Sequence, residues 1–485
     1  AGARLATRLM EGYLSMPHTF HLQRNSATLV RNSYDIVQQF VREALIPAVK
    51  LLSHGLIIIG LIGVLLVSSP LSTALALAVL GPLVFIMLRV VHPRVKRLGR
   101  VSQAASANSL QTLNESLSGW RDITVLGRQR YFVREFARDR RRLSRARYLR
   151  STAKELPRSV IEVVLVLLIL AMLGVSTALQ GGALNALPIL GLFGYAAVRL
   201  QPSLNEVLTA LNALKFVGPG IDLLHDDLAR FPAHPAGKTP KAPLPLRKEL
   251  RVENVTARYP SASASALSDV QLTVHAGEFL GVVGPTGGGK STLVDVMLGL
   301  LEPENGRVLV DGKDVLDHRA AWHAGLGVVH QDIFLADTTL RRNIALGVEL
   351  EEIDEDRVAE AIELAQLREW VAELPDGLAT VIGESGVRLS GGQRQRLAIA
   401  RAMYRRPGVI FFDEGTSALD NATERQLMSA LATLRGGRTI IAVAHRLSTV
   451  RDCDRVALIH EGRLVEVAPF NELAAQHPHL VTEPA

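Results

Sequence analysis

Gly284-Pro-Thr-Gly-Gly-Gly-Lys-Ser-Thr292 decides how the chain is read. It fits the phosphate-binding loop pattern G-x-x-x-x-G-K-[ST]. Gly284, Gly289, Lys290 and Ser291 hold the fixed positions, Pro285, Thr286, Gly287 and Gly288 fill the gap, and Thr292 follows. Glycines let a backbone curl until successive amide N–H groups face phosphate oxygens. Lys290 is expected to reach β- and γ-phosphates, and the Ser291 hydroxyl to hold Mg²⁺. The flanks agree with this reading. Phe279-Leu-Gly-Val-Val283 reads as the preceding strand, and Ser291 to Leu298 as the helix whose N-terminus faces the anion.

Downstream, Val409-Ile-Phe-Phe-Asp-Glu414 is an apolar run ending in two carboxylates. Alone it signals a strand entering a turn. After a phosphate loop it places Asp413 on Mg²⁺ through water and Glu414 beside the attacking water. From about Leu250, short apolar runs (Arg307–Val310, Gly327–Val329, Val409–Phe412, Thr439–Val443, Arg455–Ile459) alternate with helical stretches such as Ile353–Leu367 and Arg394–Tyr404. That alternation predicts a mostly parallel sheet flanked by helices.

Leu389-Ser-Gly-Gly-Gln393 resembles the signature of the ABC ATPases, and the likeness extends along residues 248–485. Tyr259 looks like the aromatic that stacks on adenine. Gln331 looks like the glutamine that senses Mg²⁺ and contacts the membrane domain. Asp420, in Ser417-Ala-Leu-Asp420, lies in what resembles the loop crossing to a partner subunit. His445 looks like the γ-phosphate switch histidine. Gly288, His330 and Gly415 depart from the commonest forms without removing a catalytic group. The resemblance implies ATP and Mg²⁺ as ligands, with Glu414, His445 and Gln331 catalytic. It also implies that Ser390, Gly391, Gly392 and Gln393 cap the γ-phosphate on another subunit's loop. With one ATPase domain per chain, the implied assembly is a homodimer; a heterodimer is the alternative.

Upstream the character changes. Four apolar stretches, near residues 45–67, 71–91, 160–179 and 187–205, are long enough to cross a bilayer, which takes about 20 residues. Ser68-Ser-Pro70 makes the first two a hairpin. Residues 1–44 read as helix broken near Pro17–Phe20, and 92–158 as a basic extension carrying Arg94, Lys96, Arg97, Arg138 and Arg150. The positive-inside rule puts these extensions, and the ATPase domain, in the cytoplasm. Phe231 to Pro245 is Pro-rich, so 231–247 reads as a linker between a helical domain, 1–230, and an α/β domain, 248–485.

This half also resembles ABC exporters. Asn114–Gly127 and Met16–Phe20 are similar to their two coupling helices, and Thr380–Gly386 to an exporter loop. Such exporters have six spans, so the resemblance implies that the chain lacks the first and most of the second. Leu187–Ser203 and Leu156–Val163 resemble the last spans of flippases for lipid-linked oligosaccharides. Arg158 and Arg199 then fall where a lipid diphosphate would sit, whereas Glu206 departs from that pattern. The competing account has Arg158 at the membrane edge and Arg199 paired with a carboxylate such as Glu162.

Composition agrees. A chain of 485 residues with 21% charged side chains and positive mean hydropathy suits two domains, one in a membrane. The net charge of +7 is compatible with a nucleic-acid partner or with basic cytoplasmic loops. The flanking spans favour the loops, and no nucleic acid is expected. One cysteine, Cys453, excludes an internal disulfide. The expectation is an all-α transmembrane helical domain followed by an α/β P-loop ATPase. The resemblance implies an ATP hydrolase in a bacterial-type inner membrane that exports an amphiphile, with a polyprenyl-diphosphate-linked oligosaccharide as the specific expectation. A drug, peptide or phospholipid exporter would share the ATPase motifs. A soluble ABC ATPase is disfavoured by the spans.

Overall fold

A computed structural model describes the backbone of residues 2–180, 183–232, 242–260, 262–383, 386–413, 437–443 and 450–477, and their side chains except at 154–158 and 172–190. The chain forms two compact units. One comprises Ala1–Met16 and Phe20–Ala236, and the other is built mainly from Gly237–Ala485.

The first unit is helical. Helix Gly2–Ser15 and the short His18–Gln23 precede a helix that runs from Ser26 to Ser68 with π-helical turns at Asn32–Ile36 and Val41–Leu45. Asn25 caps it, its side-chain oxygen accepting from the Ala27 amide at 2.9 Å. Ser69 then leaves helical geometry (φ −155°), and Pro70 opens the next helix, Pro70–Ser118, where its missing N–H costs nothing. Helices Gln129–Gln180 and Ala183–Arg230 complete the set.

Helices of 49, 52 and 48 residues are each more than twice the length a bilayer requires. The basic segment 92–158 is therefore the continuation of two spanning helices, interrupted by the short helix Trp120–Val125. Ser26–Ser68, Pro70–Ser118 and Gly191–Arg230 are long and apolar enough to cross a membrane. Of the expected span at 160–179, the described apolar helix is Ser159–Ala171.

Close packing fixes the helices. A Cβ on Gly99 would lie 2.2 Å from the Phe216 carbonyl oxygen, so only glycine allows this approach. At the other contact, Leu9, Ile36, Val37 and Leu224 enclose a polar knot. The Tyr13 hydroxyl donates to Asp227 at 2.6 Å, and the Asn32 amide donates to the same oxygen at 2.9 Å. Burial, with Asp227 beside it, pushes the Tyr13 phenol above its ordinary range.

The second unit holds two sheets. One is antiparallel, in order β2-β1-β4-β5: β1 Glu249–Ala257, β2 Leu267–His275, β4 Asn305–Val310 and β5 Lys313–Asp314. The other runs β10-β9-β3-β8-β7-β6, from β3 Phe279–Val283, β6 Leu326–Val329, β7 Val409–Asp413, β8 Thr439–Val443, β9 Arg455–His460 and β10 Arg463–Ala468. Every pairing in it is parallel except β9 with β10. The expectation of a mostly parallel sheet thus holds for this layer, except that Arg307–Val310, expected within it, is β4 of the antiparallel layer instead. The reason lies in the burial pattern. β3 and β8 are buried throughout and read as continuous apolar runs, whereas β1 and β2 alternate buried with exposed positions.

Candidate nucleotide site

The strand order carries the site. β3, β8, β7 and β6 are parallel neighbours, so their C-terminal ends share one edge, where open α/β sheets bind ligands. The loop from Gly284 leaves β3 there. Gly284 has φ +144°, and a Cβ on it would stand 1.9 Å from the Ile459 carbonyl oxygen of β9. The loop can follow this path only with glycine. The Gly288 carbonyl accepts from the Gly462 amide at 2.8 Å, which ties the loop to the β9–β10 turn.

Gly289, at φ +108°, opens helix Lys290–Met297. The first N–H groups of a helix have no acceptor within it, and here they face the loop's concavity. Lys290 is 6% exposed, and its Nζ donates to the carbonyls of Gly284 and Pro285 at 2.8 and 3.0 Å. The ammonium is thereby held inside the curl of the loop.

Ser291 Oγ donates to Asp413 Oδ1 at 3.3 Å. Two motifs 122 positions apart thus meet, because β8 alone separates β3 from β7. A hydroxyl and a carboxylate oxygen are hard ligands of the kind Mg²⁺ selects. Gln331 follows β6, whose last pair, Val329 with Phe412, is adjacent to Asp413. Its side chain is exposed on that edge.

Tyr259 follows β1 and is half buried, with its hydroxyl donating to Asp295 at 3.0 Å. Burial is the main cause that raises its phenol pKa. Asp295 belongs to the loop's own helix and was not among the residues expected from sequence. A carboxylate in the second turn of a helix gives no signal until the fold brings Tyr259 to it.

Ser390 is the N-cap of helix Gly391–Tyr404. Its Oγ accepts from the Gln393 amide at 3.2 Å, and Gln393 Oε1 accepts from the Ser390 amide at 2.8 Å. This capping box leaves the Ser390 O–H and the Gln393 NH₂ as donors at a helix N-terminus. Gly391 and Gly392 are the helix's first two residues, so the helix begins three positions ahead of the expected Arg394.

A second unexpected group fastens this helix. Asn343 is fully buried. Its side chain accepts from the Ala336 amide and donates to the Ala336 and Thr339 carbonyls. Arg401, on the signature helix, donates to Asn343 Oδ1 at 3.0 Å, to the Asn343 carbonyl at 2.8 Å and to the Phe334 carbonyl at 2.6 Å. The segment after Gln331 is therefore clamped to the signature helix.

Glu414, Asp420 and His445 lie outside the described residues, as does the side chain of Arg158. Arg199 and Glu162 are both exposed, and neither has a hydrogen bond or ion pair with a described residue, so they do not pair with each other.

Comparison with known proteins agrees with this geometry. The family described as ABC transporter transmembrane region matches residues 1–201, and the family described as ABC transporter matches residues 267–417. An ATP-dependent lipid A-core flippase of Ralstonia nicotianae is 32% identical over 97% of this chain and 79% of its own length. A flippase of the same name from Methylobacillus flagellatus is 33% identical over 96% and 79%. Among solved structures, a bacterial Atm1-family ABC exporter with ATP bound superposes with a TM-score of 0.80 at 25% identity, over 98% of this chain and 83% of that one.

Proposed function

The chain belongs to the ABC transporters, as a multi-pass membrane region fused to an ATPase domain that hydrolyses ATP to drive transport, and from that premise we propose that it flips a phosphorylated saccharolipid. Lipid A-core is the first candidate, because the relatives that match nearly the whole chain carry that name. A polyprenyl-diphosphate-linked oligosaccharide is the second. It is favoured by the likeness of Leu187–Ser203 to the last span of oligosaccharide flippases and by Arg199 in that span, which has no partner among the described residues. Bidentate guanidinium–phosphate pairing is common to both lipids.

The contact that carries the reading is Ser291 to Asp413, beside the buried Lys290. In this reading Ser291 and Asp413 hold Mg²⁺, with Gln331 alongside, and the metal supplies charge neutralisation at the phosphates. Lys290 and the amides of Gly287, Gly288 and Gly289 cradle the nucleotide, Tyr259 stacks on its base, and Glu414 orients the attacking water. Ser390 to Gln393 of a second copy cap the γ-phosphate, with Asp420 and His445 at the same interface. ATP binding then favours the closed pair and biases the membrane halves toward outward opening. The working location is a bacterial inner membrane with the ATPase domain in the cytoplasm.

ATPase activity of the protein in nanodiscs tests this. Lipid A-core should stimulate turnover above a phosphatidylcholine background, and Lys290→Ala should abolish nucleotide binding and the stimulation together. Equal turnover with and without either glycolipid would refute the substrate reading. Undiminished ATP affinity in Lys290→Ala would refute the loop's role.

A further inference from the structure

The polar knot of the helical unit joins three stretches that lie far apart in sequence. Tyr13, Asn32 and Asp227 are all buried. Asp227 accepts from the Tyr13 hydroxyl at 2.6 Å and from the Asn32 amide at 2.9 Å, and the Arg24 guanidinium stands 3.7 Å away. Asn32 opens the π-helical turn Asn32–Ile36, a rare geometry that recurs at functional sites. Beside it the buried Arg31 donates to the Asn32 side chain and to the Gln103 carbonyl of helix Pro70–Ser118.

Tyr13 is a hub for rings as well as for bonds. Its ring stacks on Phe20, with centroids 6.2 Å apart, and meets Phe231 edge-on at 5.2 Å. Gly12 makes room for the second contact, since a Cβ there would lie 2.2 Å from the Phe231 ring. The Tyr13 carbonyl is 3.0 Å from His21 Nε2, and Arg24 lies over the Phe20 ring. Phe20 ends the stretch Met16–Phe20 that resembles a coupling helix, and Phe231 begins the expected linker to the ATPase domain. One side chain therefore touches both places where this unit is expected to exchange movement with the ATPase domain.

A buried carboxylate is costly, and well-packed apolar residues would hold helices together at least as firmly. Leu9, Ile36, Val37 and Leu224 already surround the knot. Apolar packing has no preferred direction and permits sliding, whereas hydrogen bonds to one carboxylate admit a single register. What the knot contributes is register rather than strength.

We propose that Tyr13 is a positioning residue for transport: through Asp227 and Asn32 it fixes the segment Met16–Phe20 and the start of the linker at Phe231 as one body. Closure of the ATPase pair then moves the membrane helices instead of being absorbed by slip between those two points. The proposal rests on the nucleotide-driven rearrangement described above and is independent of which lipid is carried.

The test reads hydrolysis and membrane movement separately. A spin label on Ser68→Cys, exposed in the turn between the first two described spans, reports the distance between two copies in nanodiscs. With Cys453→Ser as background, the distance is measured with and without Mg²⁺, ATP and vanadate. The parent protein should show a second distance on trapping. Tyr13→Phe keeps both ring contacts and loses only the bond to Asp227. It should hydrolyse ATP within about twofold of the parent and melt within about 5 °C of it. The ratio of shifted to unshifted distance on trapping should nevertheless fall about tenfold. Asn32→Asp sets two carboxylates against each other and should have the same effect, and Asn32→Asp/Asp227→Asn, which restores one carboxylate and one amide, should recover the parent ratio. A full distance change in Tyr13→Phe overturns the proposal and leaves nucleotide-driven movement intact, as does a swap that fails to recover. Hydrolysis and distance change that fall together with the melting temperature show that the knot only holds the fold, and overturn it too. A parent protein whose distance ignores ATP overturns the underlying reading itself.

Discussion

The Tyr259 hydroxyl donates to Asp295, on the helix that carries Lys290. If Tyr259 stacks on the base as proposed, its ring must be held at a fixed angle, and this bond supplies the second anchor. A hydrogen bond to a charged group contributes about 1.5–3 kcal/mol, so a partly exposed one should contribute toward the lower end. Tyr259→Phe is therefore expected to raise the KM for ATP up to roughly tenfold while kcat changes little. Asp295→Asn keeps an acceptor without the charge and should fall between wild type and Asp295→Ala, which should match Tyr259→Phe. Steady-state kinetics on the three variants checks this; a fall in kcat at unchanged KM would contradict it. Chain order shows why one partner was legible and the other was not. Tyr259 stands before Pro260 in a motif with a family likeness, whereas Asp295 is one acidic residue on an ordinary helix face.

Among the elements, legibility followed pattern. β8 matches its expected span, Thr439–Val443, because a buried central strand is an unbroken apolar run. Of the antiparallel layer only Arg307–Val310, in β4, stood out as a run, and its sheet was not legible; β1 and β2 escaped because half-exposed strands dilute that run. The layer's clearest marker is local: Asp311-Gly312 joins β4 to β5 with φ of +49° and +83°, the geometry of a two-residue hairpin turn. Glu461-Gly462 does the same between β9 and β10, at +49° and +75°. The signature helix starts earlier than its apolar periodicity suggests, because the Ser390–Gln393 capping box offsets the poor helix propensity of two glycines. That helix and the segment after Gln331 depend on Asn343. Removing its side chain would strand the Ala336 amide and part of the Arg401 guanidinium, both partnered now. Asn343→Ala should destabilise the ATPase unit by about 2–4 kcal/mol. Hydrogen exchange should rise jointly in residues 332–344 and 391–404. Faster exchange in only one of these segments would show that Asn343 does not couple them.

At the scale of the molecule, the described residues place two groups of expected site residues on one chain. Lys290, Ser291 and Asp413 converge at one sheet edge, while Ser390 and Gln393 bond to each other at a helix N-terminus. The capping box already satisfies the Gln393 backbone amide, so the Ser390 hydroxyl hydrogen, the Gln393 NH₂ and the remaining first-turn N–H groups are the donors left for an anion. A second copy, brought in by symmetry, would present that end to the γ-phosphate held by Lys290, and twofold symmetry would fill two such sites at once. Nucleotide is then the adhesive, and the pair should persist for as long as the γ-phosphate does. Glu414→Gln removes the group expected to orient water while leaving phosphate binding untouched, so in ATP it should trap the closed pair. Cross-linking between cysteines introduced beside Ser390 and beside Lys290, in a Cys453→Ser background, should then be ATP-dependent. It should be lost in Glu414→Gln/Lys290→Ala and weakened in Glu414→Gln/Ser390→Arg, where bulk and charge replace the cap. Cross-linking that proceeds equally without ATP would mean that contacts other than the γ-phosphate hold the copies together.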